Sequence, residues 1–252
     1  MTAAALRRAS HQVMIGELPL GGGAPIAIQA EVTASADALG EIETLAAAEC
    51  SLVRVAVSSA DGAGALPSIV AGSPLPVIAD AGFQRWRLLS ALDTSCAAVR
   101  VNPGDIEEFA ETAGHLVTAG IPVHIGITAR ALDWRLLAEY GRATPEALVE
   151  AAVQTCALFE AYGFGDLTLS MQHADPLVMA SAYRQLARRV DYPLHLEVAG
   201  DATTAARRRQ LRLVFGFLLK EGIGDSVRVA LSGSPVEEVQ AAKRILAELH
   251  VT

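Results

Sequence analysis

Residues 97–128 read AAVRVNPGDIEEFAETAGHLVTAGIPVHIGIT, and the fold class can be inferred from this segment. It begins with a short apolar run at Ala97–Val101, turns at Pro103-Gly104, continues with helical spacing over 106–118, and ends in a second apolar run at Pro122–Thr128. Short β-branched runs bounded by turn residues are typical of buried strands, and a longer periodic segment between them is typical of a helix. The segment therefore predicts a strand–helix–strand unit.

The same unit recurs over nearly the whole chain. Strand-like apolar runs lie at Ile26–Val32, Leu52–Val57, Leu75–Ala79, Ala97–Val101, Pro122–Thr128, Leu167–Met171, Leu194–Val198 and Ser226–Leu231. Helical segments lie near 35–48, 60–71, 83–94, 106–118, 145–162, 175–189, 205–220 and 235–249. Eight repeats with no charged linker between them predict one (β/α)8 TIM barrel, with a doubly wound sheet as the alternative.

Four of the helix starts carry capping signals. They are Ser35 with Asp37 at the first helix, and then Thr144-Pro145, Asp175-Pro176 and Ser234-Pro235. An oxygen-bearing side chain at such a position accepts a hydrogen bond from a free backbone N–H of the first turn, and proline fits the first helical position. These residues predict where the helices after the first, fifth, sixth and eighth strands begin.

A short extension precedes the first repeat. Gln12–Ile15 and Leu18–Leu20 flank a turn at Gly16-Glu17, which predicts a hairpin. The glycines at 21–23 are not expected to form a phosphate loop, because no helix follows them directly. We therefore divide the chain into an extension with a hairpin at 1–24 and a barrel at 25–252.

Composition excludes several classes of protein. The chain has 252 residues, of which 52% are hydrophobic, and a formal net charge of −8, which argues against disorder and against a nucleic-acid partner. The longest uncharged run, 62–79, contains three prolines, so we expect no membrane span. Because no apolar segment follows Arg7 and Arg8, we expect no signal peptide, and we predict a cytoplasmic location.

Polar residues are grouped by the geometry expected of a barrel. Every second side chain of a strand points into the lumen, and active sites lie at the carboxyl ends of the strands. The side chains that this rule brings together as ligand-binding candidates are Arg54, Arg100, Asn102, Arg228, Gln29, Thr128, Gln172 and His195. A charged residue inside an apolar strand is costly unless it is paired or binds a ligand. The three arginines therefore predict either a site for a phosphate or carboxylate group or, as the alternative, internal ion pairs with lumen carboxylates.

Acid–base chemistry is the catalytic class that the remaining lumen residues favour. The candidate catalytic residues are Glu31, Asp80, His124 and Glu197, since carboxyl and imidazole groups are the usual proton donors and acceptors. The only lysines, Lys220 and Lys243, fall on predicted outer helices, which excludes a Schiff-base lysine at a strand end.

Metal and thiol chemistry receive less support. Two histidine sets are open alternatives for a divalent metal, His124 and His195 with a lumen carboxylate, or His173 with Asp175, but neither has a recognised spacing. We therefore predict no metal. The three cysteines lie far apart, so we expect buried apolar residues rather than a disulfide or a thiolate site at Cys50, Cys96 and Cys156.

Several motifs carry a resemblance to a known family. They are GGGAPIAIQ (21–29), VRVAV (53–57), VRVNPGDI (99–106), IPVHIG (121–126), YGRATPEALVEAA (140–152), DYPLHL (191–196) and GIGDSVRVALSGSPVEEVQAAKRIL (222–246). Together they extend from about Val13 to Leu249 and resemble the 4-hydroxy-3-methylbut-2-enyl diphosphate synthases. The resemblance implies a (β/α)8 barrel similar to dihydropteroate synthase, with a cyclic diphosphate bound in its mouth.

The resemblance also has implications for cofactor and partners. In that family a second, C-terminal domain carries a [4Fe–4S] cluster on three cysteines and a glutamate, and delivers electrons for reductive ring opening in isoprenoid precursor biosynthesis. The sequence ends at Thr252, and its three cysteines lack the required spacing. We therefore expect no cofactor in this chain, with a [4Fe–4S] cluster only where a partner supplies it. Because the family's active sites form between subunits, we expect a homodimer or a heteromer with a related synthase.

The lumen residues are partly retained and partly changed relative to the family. Those that match its substrate-contacting residues are Arg54, Arg100, Asn102 and Arg228. Four other positions differ from the family. Gly82 replaces its histidine after the third strand, and His124 replaces its arginine on the fifth strand. Thr128 replaces the asparagine four positions later, and Gln172 replaces its lysine on the sixth strand. Two carboxylates, Glu31 and Glu197, stand where the family has uncharged residues. Loss of cationic contacts and gain of carboxylates predict weaker diphosphate binding.

Two functional hypotheses follow. The first is a diverged barrel that binds an anionic small molecule and performs acid–base chemistry without a redox step. The alternative is a non-catalytic or half-site partner of a cluster-bearing synthase. An exposed apolar patch on the outer helices is the feature that favours the alternative.

Overall fold

A computed structural model describes residues 7–82, 84–104, 106–198, 205–230 and 234–249, without the side chains of 106–108, 198 and 205–212. The predicted strand end at Leu231 and both chain termini lie outside these ranges. In the described part of the chain, no helix combines the length and the apolar character that crossing a membrane requires.

The described ranges contain ten strands, which follow the predicted order together with the predicted helices and one additional helix. The strands are β1 (Gln12–Ile15), β2 (Leu18–Gly21), β3 (Ala27–Thr33), β4 (Leu52–Ala56), β5 (Val77–Gly82), β6 (Ala98–Val101), β7 (Val123–Thr128), β8 (Leu167–Gln172), β9 (Leu194–Val198) and β10 (Ser226–Val229). The helices are α1 (Ala38–Ala47), α2 (Ala60–Gly72), α3 (Arg85–Leu92), α4 (Ile106–Ala119), α5 (Trp134–Tyr140), α6 (Pro145–Glu160), α7 (Pro176–Leu186), α8 (Ala205–Lys220) and α9 (Pro235–Leu249).

The eight strands β3 to β10 form a closed barrel. Each is parallel to its neighbour in chain order, and β10 pairs with β3 through Ser226 opposite Ala27. Closure confirms the TIM barrel and excludes the doubly wound sheet. The main core lies between the strands and the surrounding helices, and its fully buried side chains include Ile42, Leu66 and Leu148. Burial of such aliphatic side chains supplies most of the free energy that favours folding.

The predicted hairpin is present and closes the amino-terminal end of the lumen. Strands β1 and β2 pair antiparallel, with Val13 opposite Leu20. These two side chains and Ile15 are buried in a second apolar cluster, which also contains Ala27, Leu52, Ile78 and Ala98 of the barrel strands. We name this second cluster the floor of the barrel. Because the floor is apolar and packed, the lumen opens toward the carboxyl ends of the strands.

Three of the four predicted caps are confirmed in detail. The hydroxyl of Thr144 accepts a hydrogen bond from the backbone N–H of Ala147 at 3.2 Å, and the carboxylate of Asp175 accepts one from Leu177 at 2.8 Å. At α9, the Glu237 carboxylate accepts a hydrogen bond from the backbone N–H of Ser234 at 2.8 Å. The backbone N–H of Glu237 in turn donates to the Ser234 hydroxyl at 3.3 Å. This reciprocal arrangement is a capping box.

The first helix is the exception among the predicted caps. Helix α1 begins at Ala38, directly after Asp37 and not at Ser35. The Asp37 side chain makes no capping hydrogen bond, because the residue has helical backbone angles, with a φ of −91° and a ψ of −4°. A capping side chain usually belongs to a residue with extended backbone, from which its oxygen can reach back to the first turn.

Several other boundaries differ from the prediction. The third barrel strand spans Val77–Gly82 instead of Leu75–Ala79, since its backbone continues to pair with both neighbours: Val57 N–H donates to Asp80 O, and Asn102 N–H donates to Gly82 O. Helix α7 ends at Leu186 rather than at 189. Helices α3 and α6 end at Leu92 and Glu160, each two residues before the predicted end.

Sequence periodicity does not predict one helix. The connection between β7 and α6 contains a turn of 3-10 helix and then α5, which begins where the Asp133 carboxylate accepts a hydrogen bond from the N–H of Arg135 at 2.8 Å. It ends at Gly141, which has a φ of +73°. A left-handed residue of this kind commonly terminates a helix, and glycine adopts it without strain.

Candidate binding site at the barrel mouth

Two buried histidines contact each other in the lumen. The ring nitrogens of His124 lie 2.8 Å from the Ser170 hydroxyl and 3.0 Å from the Thr168 hydroxyl, and Nδ1 of His195 lies 2.9 Å from the Ser226 hydroxyl. The two rings meet edge to face at a centroid distance of 5.3 Å. Burial lowers the pKa of His195 to about 3 and places the pKa of His124 well below its usual value. Both imidazoles are therefore neutral at pH 7.

Arg54 lies at the mouth of the lumen and is saturated by carboxylates. Its Nη1 donates to Glu197 Oε2 at 3.1 Å and its Nη2 donates to Glu197 Oε1 at 2.8 Å, which is a bidentate pair. Its Nε donates to Glu31 Oε2 at 2.7 Å, and Nη2 also contacts that oxygen. Burial alone would lower the pKa of Arg54, but Glu197, Glu31 and Asp80 raise it above the ordinary value. Arg54 is thus a buried, permanently charged centre of an ion network.

Glu197 joins Arg54 to a second arginine. Nη1 of Arg228 donates to Glu197 Oε1 at 2.5 Å and lies 3.4 Å from Glu31 Oε2. Burial would raise the pKa of Glu197, but Arg54 and Arg228 hold it well below its usual value. The carboxylate is therefore ionised, and both of its oxygens accept hydrogen bonds from arginine.

Arg100 forms a further pair on β6. Its Nη1 donates to Asp80 Oδ2 at 3.0 Å and to Asn102 Oδ1 at 2.9 Å, and the Asn102 amide donates to Gly126 O at 2.8 Å. The guanidinium lies directly over Gly126, since a Cβ atom built there would be 2.5 Å from Arg100 Nη2. Glycine at this position allows the arginine to approach the backbone of β7 closely.

These side chains surround an open cavity of about 490 Å³ at the carboxyl end of the barrel. Its lining comprises Glu31, Arg54, Arg100, Asn102, Thr128, Arg130, Ala131, Gln172, Glu197 and Arg228. Most of the predicted ligand-binding residues are thus brought to one place. Gln29 and His195 are the exceptions, because they are buried and absent from the cavity lining.

Of the two predicted alternatives for the arginines, the structure shows the internal ion pairs. Internal ion pairs with Glu31, Asp80 and Glu197 are present, yet the cavity remains. Arg100 and Arg228 use Nη1 for these pairs, while Nε of each is buried and has no hydrogen-bond partner in the described part of the chain. Leaving a guanidinium N–H without an acceptor is costly, because the group is a strong donor.

Two residues of the cavity lining, Arg130 and Ala131, are not among the predicted site residues, and Arg130 is the charged one. Arg130 lies in the 3-10 turn directly after β7 and lines the cavity. No ion pair or hydrogen bond of its side chain is found within the described ranges. Its position two residues beyond Thr128, in a loop at the carboxyl end of a barrel strand, is the signal that could have identified it.

The four catalytic candidates have different surroundings. Glu197 is buried and saturated, Asp80 pairs with Arg100 and lies 3.5 Å from Arg54, and both nitrogens of His124 are occupied by hydroxyl groups. Glu31 has a side chain that is 30% exposed and lines the cavity. Of the candidates, Glu31 is thus the most accessible from the space where a ligand fits.

The three cysteines do not fit an iron–sulfur cluster. All are buried in the main core around the barrel, and the Cys50 thiol donates to backbone carbonyls. Burial raises the pKa of the Cys50 thiol to about 11 and that of Cys156 to about 12, which disfavours the thiolate that binds iron. Among the described residues, no group of three or more His, Cys, Asp or Glu side chains is suited to a metal ion.

Comparison with solved structures supports the fold. Dihydropteroate synthase from Yersinia pestis superposes with a TM-score of 0.69 at 11% identity, covering 95% of this chain and 99% of that one. Dihydropteroate synthase from Thermus thermophilus in complex with 4-aminobenzoate gives a TM-score of 0.68 at 14% identity, covering 95% and 98%. At these identities the likeness shows a common barrel architecture.

Comparison at the sequence level is closer. A family model described as the GcpE TIM-barrel domain matches residues 10–243. The 4-hydroxy-3-methylbut-2-en-1-yl diphosphate synthase (flavodoxin) of Salinispora tropica is 49% identical over 251 residues, which are 96% of this chain and 64% of that protein. The protein of the same name from Corynebacterium jeikeium is 46% identical over 253 residues, covering 97% and 66%.

The chain spans about 65% of the length of the curated relatives it matches. The matched part corresponds to the barrel that the structure shows, with its hairpin. By sequence and by fold, the chain belongs to the 4-hydroxy-3-methylbut-2-en-1-yl diphosphate synthase family and corresponds to its GcpE TIM-barrel domain.

Proposed function

We propose that the barrel binds a small anionic molecule, carrying a phosphate or carboxylate group, in the cavity at its mouth. The observation that carries this proposal is the incomplete pairing of Arg100 and Arg228. Each donates to carboxylates through Nη1, while its Nε and Nη2 donate no hydrogen bond within the described part of the chain. Because Nε is buried, Nη2 is the donor of each guanidinium from which an oxyanion in the cavity can accept a hydrogen bond.

The charge of the cavity supports the same proposal. Four arginines and two glutamates line it, and counting Asp80, which pairs with Arg100, still leaves the arginines in excess by one. Arg130 is the cation among them that has no partner in the described ranges. A concave site with a net positive lining attracts anions and strengthens their binding. The carboxylates therefore reduce the affinity for a diphosphate without removing the preference for negative charge.

We also propose that Glu31 performs acid–base chemistry on the bound anion. It is the most accessible of the candidate carboxylates, whereas Glu197 and His124 are fully occupied by neighbouring side chains. A general acid or base must lie within hydrogen-bond reach of the proton that it transfers. This chemistry involves proton transfer and needs no electron transfer by the described residues.

Thermal-shift measurements test the binding proposal. Inorganic phosphate, pyrophosphate and a dicarboxylate are each titrated into the purified protein. A ligand that binds only the folded state raises the melting temperature with its concentration, by mass action. We expect a rise with at least one of these anions in the wild type and its loss in Arg100→Ala.

Arg189→Ala serves as the matched control. It removes an arginine that is half exposed on the outside of the barrel and lies 3.6 Å from Glu150. This variant should retain the full shift. If none of the anions stabilises the wild type, or if Arg100→Ala keeps the shift, the proposed site is wrong.

A second candidate function rests on a different observation, an apolar face on α8. Leu213 and Phe217 lie one helical turn apart and are 53% and 58% exposed. Exposed apolar side chains on one helix face commonly mark a protein interface. We propose as the alternative that the barrel is one half of a synthase in isoprenoid precursor biosynthesis, cytoplasmic, and associated with another copy or with a related subunit that supplies a [4Fe–4S] cluster.

Light scattering separates the two candidates. The measured mass of the wild type is compared with that of Phe217→Ser, alone and after mixing with a full-length relative of the family. Association that Phe217→Ser weakens favours the half-site function. A monomer that fails to associate with the relative contradicts it.

A further inference from the structure

One carboxylate oxygen at the cavity has no partner within the described part of the chain. Of the six oxygens of Glu31, Asp80 and Glu197, five accept hydrogen bonds: both of Glu197, both of Asp80, and Oε2 of Glu31. The sixth is Oε1 of Glu31. Because the Glu31 side chain is 30% exposed and lines the cavity, this oxygen is accessible to a ligand.

Donors without partners in the described ranges lie on other strands around the same cavity. They include Nη2 of Arg100 on β6 and the guanidinium of Arg130 directly after β7. Glu31 is on β3, which lies three strands from β6 around the barrel. The uncharged residues of the lining are Asn102, Thr128, Ala131 and Gln172. The cavity therefore has a cationic part at β6 and β7 and a free carboxylate oxygen at β3.

A simple anion would satisfy only the cationic part. Where it approaches Arg54, it meets Glu31 and Glu197, which already pair with that arginine, and like charges repel. A ligand that also carries a cationic hydrogen-bond donor would instead satisfy Glu31 Oε1. Hydrogen bonds between charged groups are the strongest class in proteins.

We infer that the ligand of this cavity is a small zwitterion, in which a phosphate or carboxylate group binds the arginines and a protonated amine donates to Glu31 Oε1. This inference rests on the proposed function and adds the second group of the ligand. Glu31 is then the residue that determines specificity between zwitterions and simple anions.

Three phosphate monoesters that differ at one end test the inference in the wild-type protein. O-phosphoethanolamine ends in an ammonium group, 2-hydroxyethyl phosphate in a hydroxyl, and ethyl phosphate in a methyl group. Their dissociation constants are measured by calorimetry at pH 7. We expect the ammonium ester to bind about tenfold more tightly than ethyl phosphate, with the hydroxyl ester between them.

Variants of Glu31 assign that preference to the carboxylate. Glu31→Gln should reduce the ratio between the ammonium and methyl esters to about one, since a neutral amide makes a weaker bond with an ammonium group. Glu31→Asp keeps the charge and should restore part of the ratio. Glu49→Gln removes a carboxylate on the outside of the barrel, where it pairs with Lys243, and should leave the ratio unchanged.

The outcomes distinguish this inference from the proposed function. If the three esters bind equally, or if the hydroxyl ester binds as tightly as the ammonium ester, the zwitterion is wrong while the anion site stands. If no ester and no other anion binds, both are wrong. Because the ranking is measured in the wild type, it remains decisive even where Glu31→Gln fails to fold.

Discussion

The floor and the mouth of the barrel lumen are built from opposite kinds of residue. At the floor, Val13, Ile15 and Leu20 of the hairpin pack against apolar side chains of the barrel strands. At the mouth, arginines and carboxylates surround a cavity of about 490 Å³. The same eight strands thus have a packed apolar end, which stabilises the fold, and a charged open end. It follows that substitutions at the floor should change stability alone, whereas the cost of a substitution at the mouth depends on whether it breaks the buried ion pairs or only displaces an arginine.

The largest effect on the unfolding free energy is expected when Glu197 is removed from the mouth. Glu197→Ala leaves Arg54, which is 4% exposed, without its bidentate partner. Removing one partner of a buried ion pair costs about 3–5 kcal/mol, because the other charge remains buried. Urea denaturation at pH 7 should show a loss of unfolding free energy of this size.

The matched control for Glu197 is a glutamate on the surface. Glu221→Ala removes a carboxylate that pairs with Arg184 at 2.7 Å but is 42% exposed. Such pairs contribute about 0–1 kcal/mol. An equal effect of the two substitutions would contradict the buried network.

The pH dependence gives a second readout for Glu197. Its pKa in the folded protein lies below the ordinary value of 4.5, so the unfolded chain takes up a proton first as the pH falls. The stabilisation by ionised Glu197 is therefore fully present above the unfolded-state pKa and is lost as the pH falls through the lower pKa of the folded state. When the unfolding free energy is measured as a function of pH in the acid range, Glu197→Ala should therefore lose less stability than the wild type as the pH falls.

The next largest effect is expected at the floor. Ile15→Ala removes buried methyl groups from a fully buried side chain, and such truncations cost about 2–5 kcal/mol of unfolding free energy. Below its melting temperature, Ile15→Ala should bind phosphate as the wild type does, because the floor does not line the cavity. Denaturation and calorimetry measure the two quantities.

Met14→Ala is the control for the floor. The side chain of Met14 is next to Ile15 in the chain but 46% exposed, so its truncation should change the unfolding free energy by less than about 0.5 kcal/mol. Weakened phosphate binding in Ile15→Ala would show that the floor and the mouth are coupled.

The barrel itself is predictable from sequence, because apolar strand runs alternate with helical segments and several helices carry their own start signals. The segment 97–128 shows this directly, since Arg100 and Asn102 both line the cavity, as their spacing of two residues on one strand predicts. The hairpin is predictable as well, from two short runs around Gly16.

The pairing of the mouth residues is not predictable in the same way. Spacing along one strand does not determine which arginine meets which carboxylate, since Arg54 on β4 contacts Glu197 on β9, three strands away around the barrel. Helix α5 and Arg130 lie in the connection after β7, where no strand or helix periodicity extends over enough residues to reveal them. Loops at the carboxyl ends of barrel strands carry function by position rather than by pattern.

The smallest effect on stability is expected at Gly126, in the mouth. In Gly126→Ala the new methyl group would meet the end of the Arg100 side chain at 2.5 Å, and this flexible end moves away more easily than backbone does. The unfolding free energy should change by less than about 1 kcal/mol. The affinity for phosphate, measured by calorimetry, should fall about tenfold because Arg100 no longer lies in place.

Gly114→Ala is the control for this substitution, because its methyl group meets no atom within 4 Å, and it should keep full affinity. This pair of variants tests the role of the mouth in ligand binding most directly, since Gly126→Ala alters the position of one mouth arginine and removes no side chain. If Gly126→Ala instead loses stability and keeps its affinity, then Arg100 supports the fold like the residues of the floor, and the mouth is not the place where the anion binds.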